Sequence, residues 1–202
     1  MTEPYSYQTI STTVSTLIKE KGSKFHGFAF SISNEEEIKT HLEEIRNLHP
    51  KATHHCYAWR LGTDGLQYRT NDDGEPSGTA GKPILGQIDA FELTNCLIIS
   101  VRYFGGTKLG VSGLISAYKN SAKETLSIAE ILTLELYKPF KISCTYEFMN
   151  LAFQCINQFE GNIIQQDLEE KCIWKIDVPA KNYDALMGNL NSFYPIEISE
   201  IK

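Results

Sequence analysis

The sequence contains no apolar run of the roughly 20 residues that a bilayer-spanning helix needs. Its first residues have neither the basic flank nor the apolar core of a secretory signal peptide. A Cys-x-x-Cys pair is also missing, and the five cysteines lie far apart in the sequence. We therefore expect a cytoplasmic protein with free thiols, no membrane partner, no structural metal and no cofactor.

An excess of positive charge is absent as well. The formal net charge is −6, which argues against broad, non-specific binding of nucleic acid. Only the middle segment, residues 51–123, has a positive formal charge, with eight Lys and Arg against six Asp and Glu. Any contact with phosphate is therefore expected to be local.

The first two thirds of the chain mix strand and helix patterns, which predicts an α+β fold. Residues 9–19 and 24–33 resemble the two strands of a hairpin that turns at 21–23. Asn34 is the expected cap of a helix that ends before Pro50. Further strands are predicted at 53–61, 66–70 and 95–103, with the last one central, and further helices at 82–91 and 114–129.

The last third predicts the element order βαββαβ, which is the ferredoxin-like plan. Residues 134–138, just before Pro139, mark a boundary, so we predict two domains at 1–135 and 138–202. The ferredoxin-like fold carries many unrelated functions and indicates no activity by itself. The predicted elements are strand 140–146, helix 147–159, a hairpin of 162–168 and 172–178, helix 183–192 and strand 195–201.

The first segment with chemical potential is residues 52–58. His54 and Cys56 share one face of the predicted strand, so they could bind a metal that Asp72, Asp73 and Glu75 complete. Two ligands at this spacing are a weak signal, because structural metal sites usually show four clear ligands. A packed histidine and a buried thiol are favoured, and no metal is predicted.

The second segment is the loop 71–83, with three carboxylates within four positions that repel one another or share a cation. Ser77 lacks the Gly-x-Ser-x-Gly setting of a nucleophile. Two interpretations stay open: a surface turn whose aspartates cap neighbouring amides, and a ligand-binding loop. The candidate ligand-binding residues here are Gly78, Thr79 and Lys82.

The third segment is 102–113. Its glycines allow backbone N–H groups to converge, and the helix that follows presents the positive end of its dipole, which suits a phosphate or a carboxylate. Val111 replaces the lysine of a P-loop, so nucleotide hydrolysis is not expected. A tight strand-to-helix turn is the alternative. The candidate anion-binding residues are Arg102, Gly105, Gly106, Lys108, Gly110, Ser112 and Gly113.

Together these segments resemble the Impact domain of the YigZ/Impact family. The resemblance rests on Ala-Thr-His-x-Cys-x-Ala at 52–58, on residues 73–83 and on residues 101–110, and it continues through 113–118. It spans about half of the chain, with the motifs in order. Ser112 departs from it, because a second glycine is expected there. The remaining sixty or so residues look like the small ferredoxin-like domain of bacterial members.

The resemblance implies a first domain of the superfamily that includes GHMP kinases, a ribosomal-protein domain and domain IV of elongation factor G. It implies a second domain similar to domain V of that factor. Eukaryotic members of the family regulate translation during amino-acid starvation. The resemblance therefore implies a translation-associated regulatory protein, although the eukaryotic partner cannot be carried over to bacteria, which lack that kinase pathway.

Three functions follow as hypotheses. The favoured one is docking on RNA, the ribosome or a translation factor through a glycine-rich anion-binding cleft. The second is a protein–protein regulator that needs no nucleic acid. The third is an enzyme that acts on a small phosphorylated or carboxylated substrate through His54, Asp73 and Glu75. We expect residues 74–82 and 104–113 to line one cleft with His54 and Cys56.

Overall fold

The computed structural model describes residues 5–193 and 196–200. The chain divides into two compact units, the first of residues 7–134 and the second of residues from 135 onward with Tyr5 and Ser6. The predicted domains 1–135 and 138–202 stay a prediction, because contacts alone do not test whether a segment folds by itself. In the described part of the chain, no helix has both the length and the apolar character needed to cross a membrane.

The first unit is built on a five-stranded antiparallel sheet of order β2-β3-β6-β4-β5. A separate two-stranded sheet pairs β1 with β7. From Ser6 to Glu135 the elements are β1 (Ser6–Ile10), β2 (Val14–Glu20), β3 (Ser23–Ser31), α1 (Glu35–Leu48), β4 (His54–Leu61), β5 (Gln67–Asn71), α2 (Gly81–Ala90), β6 (Cys96–Tyr103), α3 (Gly110–Ser127) and β7 (Ile131–Glu135).

Strand β6 is central, as predicted, and it is buried on both faces. One face of the sheet packs on α2 and α3 around Ile98, and the other packs on α1 around Ile99. Because side chains alternate along a strand, Arg102 points to the α2/α3 face and Tyr103 to the α1 face. This alternation places two different groups of polar residues on opposite faces of the same sheet.

The predicted hairpin forms between β2 and β3, but the predicted first strand was wrong in its extent. Lys21 and Gly22 make a two-residue turn with φ of 45° and 83°, the signs that a type I′ turn requires. Residues 9–19 are not one strand, because the chain leaves one sheet and enters another after Ile10. The Ser11 N–H donates to the carbonyl of Glu130 at 3.0 Å, which bends the chain there.

The second unit is an antiparallel four-stranded sheet of order β11-β8-β10-β9 with two helices. The element order is βαββαβ, as the sequence predicts. Its core includes Phe140, Trp174 and Leu186. The ends of the predicted final strand 195–201 lie outside the described residues. The elements are β8 (Tyr137–Cys144), α4 (Met149–Gln158) after a 3-10 turn at Tyr146–Phe148, β9 (Asn162–Leu168), β10 (Cys172–Pro179), α5 (Ala180–Asn191) and β11 (Glu197–Glu200).

Candidate anion-binding site

A buried ion pair lies on the α2/α3 face of the sheet. Arg102, near the end of β6, places its Nη1 2.6 Å from Oε1 of Glu75, and both side chains are almost fully buried. The hydroxyl of Tyr118 on α3 donates to the same oxygen at 2.8 Å. The guanidinium also lies 5.7 Å from the ring centre of Phe25 and 5.6 Å from that of Phe104.

This pairing corrects the role predicted for Arg102. The sequence suggests that its charge is free for a bound anion, but Glu75 already neutralises that charge within the protein. The sequence also missed Tyr118 as a partner of Glu75. The available signal was a tyrosine on the apolar face of a helix, because a buried hydroxyl needs a hydrogen-bond partner.

The loop between β5 and α2 is folded around its own carboxylate, Asp72. The N–H groups of Gly78 and Gly81 donate to Asp72 at 2.8 Å each, and that of Ala80 donates at 3.0 Å. Partial burial opposes the ionisation of Asp72, but these three amides outweigh it and hold the pKa of the carboxyl below its ordinary value. Asp72 therefore caps the start of α2, which is the first of the two interpretations left open for this loop.

We expect Asp72→Asn to lower the free energy of unfolding by about 1–2 kcal/mol at neutral pH, because it removes a charged cap. The lowered pKa in the folded state means that this stabilisation is present above the unfolded value near 3.9 and is lost as the pH falls below it. Urea unfolding of both proteins between about pH 7 and pH 2.5 checks this. The difference in stability should shrink in acid; a constant difference would contradict the capping role.

Two of the three remaining candidate residues, Thr79 and Gly78, also have hydrogen-bond partners within the loop. The hydroxyl of Thr79 donates to the carbonyl of Pro76 at 2.6 Å, and Thr79 is buried. Gly78 gives its amide to Asp72, so these two residues hold the loop and present no free donor to a ligand. Lys82 is exposed in the first turn of α2 and lies apart from the residues that line the cleft described below.

His54 joins the loop to the buried ion pair. Its Nδ1 lies 2.8 Å from the carbonyl oxygen of Asp73, and its Nε2 lies 3.8 Å from Oε1 of Glu75. The carboxylate of Asp73 accepts from the backbone N–H of His55 at 2.6 Å. These contacts bring the first two sequence motifs together, and they give Nδ1 of His54 and the carboxylate of Asp73 partners within the protein.

Cys56 lies below this network and has no access to a ligand. It is fully buried, and its thiol donates to the carbonyl of Asp72 at 3.0 Å. Burial raises the pKa of the thiol far above its ordinary value, so it stays protonated. Within the described residues, no group of three or more His, Cys, Asp and Glu side chains is arranged to hold a metal ion.

A cleft of about 370 Å³ opens beside the ion pair at the start of α3. It brings the second and third motifs together. The charged residues that line it are Glu75, Arg102 and Lys108, so one positive charge remains after the ion pair is counted. Its lining residues are Glu75, Pro76, Arg102, Phe104, Lys108, Leu109, Gly110, Val111 and Leu114.

The helix at this cleft begins earlier than predicted. Gly110, Ser112 and Gly113 lie in the first turn of α3, not in a loop that runs to residue 113. No side chain in the described part of the chain caps this end, and residues 110–112 are exposed, so the first N–H groups of an 18-residue helix stay available. Gly110 has a φ of 73°, a conformation that favours glycine.

Two of the predicted glycines in the preceding loop have different roles. The N–H of Gly105 donates to the hydroxyl of Ser23 at 3.2 Å, and its Cα packs against the backbone of Gly22. Gly105 therefore joins the loop to the β2–β3 turn and offers no free amide. Gly106 has open space around it and a φ of 86°.

Comparison with known proteins matches these motifs to a defined domain. The family model of the Impact N-terminal domain matches residues 21–126, which is more than half of the chain. An "IMPACT family member" of Haemophilus influenzae is 32% identical over 172 residues, which cover 84% of each chain. The "IMPACT family member YigZ" of Escherichia coli is 32% identical over 184 residues, which cover 88% of this chain and 89% of that one.

A solved structure shows the same fold along nearly the whole chain. It is described as the crystal structure of a hypothetical protein, is 28% identical, and aligns with a TM-score of 0.73 over 98% of each chain. The fold and the motifs thus define a protein of mixed helices and antiparallel sheets, with two compact units and an Impact N-terminal domain. The chain belongs to the Impact family.

Proposed function

We propose that this chain is a translation-associated regulatory protein that docks on RNA or a ribosomal component through the cleft at the start of α3. The observation that carries this proposal is the exposed, uncapped first turn of α3 beside Lys108. Free N–H groups and a positive helix end form a phosphate site, and the ammonium of Lys108 adds the charge. The link to translation comes from the family to which the chain belongs.

The buried pair beneath the cleft supports docking more than catalysis. Glu75 is held by Arg102 and Tyr118, so its carboxylate is committed within the protein, and Nδ1 of His54 is held by the backbone of Asp73. The pair instead fixes the wall of the cleft and keeps Phe104 against the guanidinium. Recognition of an anion is what such a rigid, weakly positive cleft can do.

We expect Lys108→Ala to weaken ribosome binding about tenfold, because a charge-assisted hydrogen bond to phosphate contributes about 1.5–3 kcal/mol. Quantitative co-sedimentation with ribosomes at low and moderate salt measures the effect. The variant should also reduce the slope of log affinity against log salt by about 1. Lys123→Ala is the matched control, since Lys123 is an exposed lysine farther along the same helix.

Each outcome of this experiment selects one hypothesis. Loss of pelleting in Lys108→Ala alone supports the proposal. Equal pelleting of the wild type, Lys108→Ala and Lys123→Ala contradicts it. A partner that survives nuclease and moderate salt in a pull-down, without ribosome pelleting, would favour the protein–protein regulator instead.

We also propose a specific fold for each of the two domains. The strand order β11-β8-β10-β9 and the order βαββαβ support a ferredoxin-like second domain. The first domain is proposed to belong to the superfamily of GHMP kinases and elongation factor G domain IV on the family resemblance. A cytoplasmic location is proposed with them, because ribosome docking requires it.

A further inference from the structure

A second pocket lies on the opposite face of the five-stranded sheet, the face that α1 covers. Its volume is about 330 Å³. Its side chains come from β3, from the connection between α1 and β4, and from the end of β6. The residues that line it are Gly22, Lys24, His26, His49, Tyr103 and Phe104. Apart from Tyr103 and Phe104, these residues lie outside the motifs on which the family resemblance rests.

The polar lining of this pocket consists of groups that can donate hydrogen bonds. The rings of His26 and His49 are 4.8 Å apart, and Nδ1 of His49 lies 2.9 Å from the hydroxyl of Tyr103. Lys24 adds an ammonium, and none of the described carboxylates lines the pocket. The unprotonated oxygens of a phosphate accept hydrogen bonds, so the ammonium of Lys24 and the imidazole and phenol protons that are not used between His49 and Tyr103 complement them.

A pair of neighbouring lysines next to the pocket also favours an anionic ligand. Lys19 on β2 lies directly opposite Lys24 on β3, and Lys24 lies opposite Tyr103 on β6. Like charges directly opposite each other destabilise an antiparallel pair. Within the described ranges, neither lysine forms an ion pair with a carboxylate. A bound anion would offset this repulsion.

We propose that this pocket, formed by Lys24, His26, His49 and Tyr103, binds a phosphate group. The inference does not depend on the proposed function, because the pocket and the cleft at α3 lie on opposite faces of the sheet. They share one residue, Phe104, which is half exposed and lines both.

The protonation of the histidines supplies a readout. Burial, then His49 and Lys24, hold the pKa of His26 below its ordinary value, and burial does the same for His49. The titratable and charged groups near them also include Lys24, the hydroxyl of Tyr103, and His55, whose Nδ1 lies 3.7 Å from Oδ2 of Asp73. A phosphate in the pocket favours the charged imidazoles, so it should raise the pKa of His26 and of His49.

The test is a titration of the full chain with inorganic phosphate, followed by NMR of the histidine ring signals across pH. We expect the His26 and His49 signals to shift and both apparent pKa values to rise, by about one unit. His41 is the internal control, because it stacks on Phe30 and contacts Glu44 away from the pocket. Unchanged His26 and His49 signals, or an equal shift of His41, would overturn the proposal.

Variants separate this pocket from the cleft. Lys24→Gln should weaken the affinity for phosphate about tenfold, as read from the phosphate concentration at which the His26 and His49 signals have shifted halfway. Lys39→Gln, which replaces an exposed lysine on α1, should leave this affinity unchanged. Lys108→Ala should leave the shift intact even if it abolishes ribosome binding, and loss of the shift in this variant would refute a separate site. A short oligoribonucleotide, titrated in parallel, identifies the source of the phosphate group. If the oligoribonucleotide binds more tightly than inorganic phosphate does, the ligand is a nucleic-acid strand. If the two bind equally, the ligand is a free phosphate compound.

Discussion

We expect Arg102→Ala to lower the free energy of unfolding by about 3–5 kcal/mol, the largest effect of any single change considered for this protein. Among the described residues, the substitution leaves the hydroxyl of Tyr118 as the hydrogen-bond donor to the buried carboxylate of Glu75. The cost comes from this uncompensated charge, because both partners of the ion pair are almost fully buried. Urea unfolding of the full chain measures it.

The double variant Arg102→Met with Glu75→Leu isolates that cause. It removes both charges and keeps a similar side-chain volume, so we expect it to be more stable than either single variant. In a double-mutant cycle, the changes in unfolding free energy of the two single variants should therefore not add up to that of the double variant. Lys39→Ala is the control for an exposed pair, since Lys39 and Glu36 are both solvent-exposed, and it should change stability by less than about 1 kcal/mol. A similarly small effect of Arg102→Ala would contradict a buried ion pair.

Gly105→Ala should lower stability by about 3 kcal/mol and weaken ribosome binding as well. A Cβ at this position would overlap the backbone of Gly22 and of Ser23, which cannot move away by rotating a side chain. To remove this steric overlap, the loop before α3 must separate from the β2–β3 turn. Overpacking of this kind typically lowers stability by about 1–3 kcal/mol or more. Because the same loop carries Lys108, the cleft should change shape.

The neighbouring glycine provides the matched control for this prediction. A Cβ at Gly106 meets no atom within 4 Å, so Gly106→Ala costs only the strain of its φ of 86°, about 1 kcal/mol. Thermal and urea unfolding of both variants, with co-sedimentation, make the comparison. Equal losses in the two variants would show that the close approach of Gly105 to the turn is not what holds the loop.

Local chemistry was enough to predict several elements of the fold. Asn34 caps α1 as the sequence indicates, with its side-chain oxygen 3.0 Å from the N–H of Glu37. The β2–β3 turn follows from Lys21-Gly22 between strand-like runs, and the central position of β6 follows from its continuous apolar character. Each of these depends on residues that are close in sequence.

The errors arose where distant residues decide the outcome. The division of residues 9–19 into β1 and β2 depends on Glu130, which lies 119 residues from Ser11. Strand β7 was not predicted, because its pairing with β1 is equally remote. A pattern within one segment carries no information about such partners.

The candidate site shows the same limit. Sequence motifs singled out both Glu75 and Arg102, but the pairing depends on strand register, which places His54 opposite Arg102 and brings the loop after β5 beside it. The motifs do not reveal the strand register. The sequence therefore predicted that Arg102 contacts a ligand, whereas in the structure it forms an ion pair with Glu75. The glycines around Lys108 indicated that a helix follows this loop, but the start of α3 was predicted too late in the chain.

The most direct test of anion binding at the start of α3 is to observe the amides of this helix while an anion binds. We would titrate a short oligoribonucleotide into the isotopically labelled 202-residue chain and follow the backbone N–H signals. We expect the largest shifts at Gly110, Val111 and Ser112, and we expect them to diminish in high salt and in Lys108→Ala. Saturable binding that leaves these three amides unshifted would contradict it.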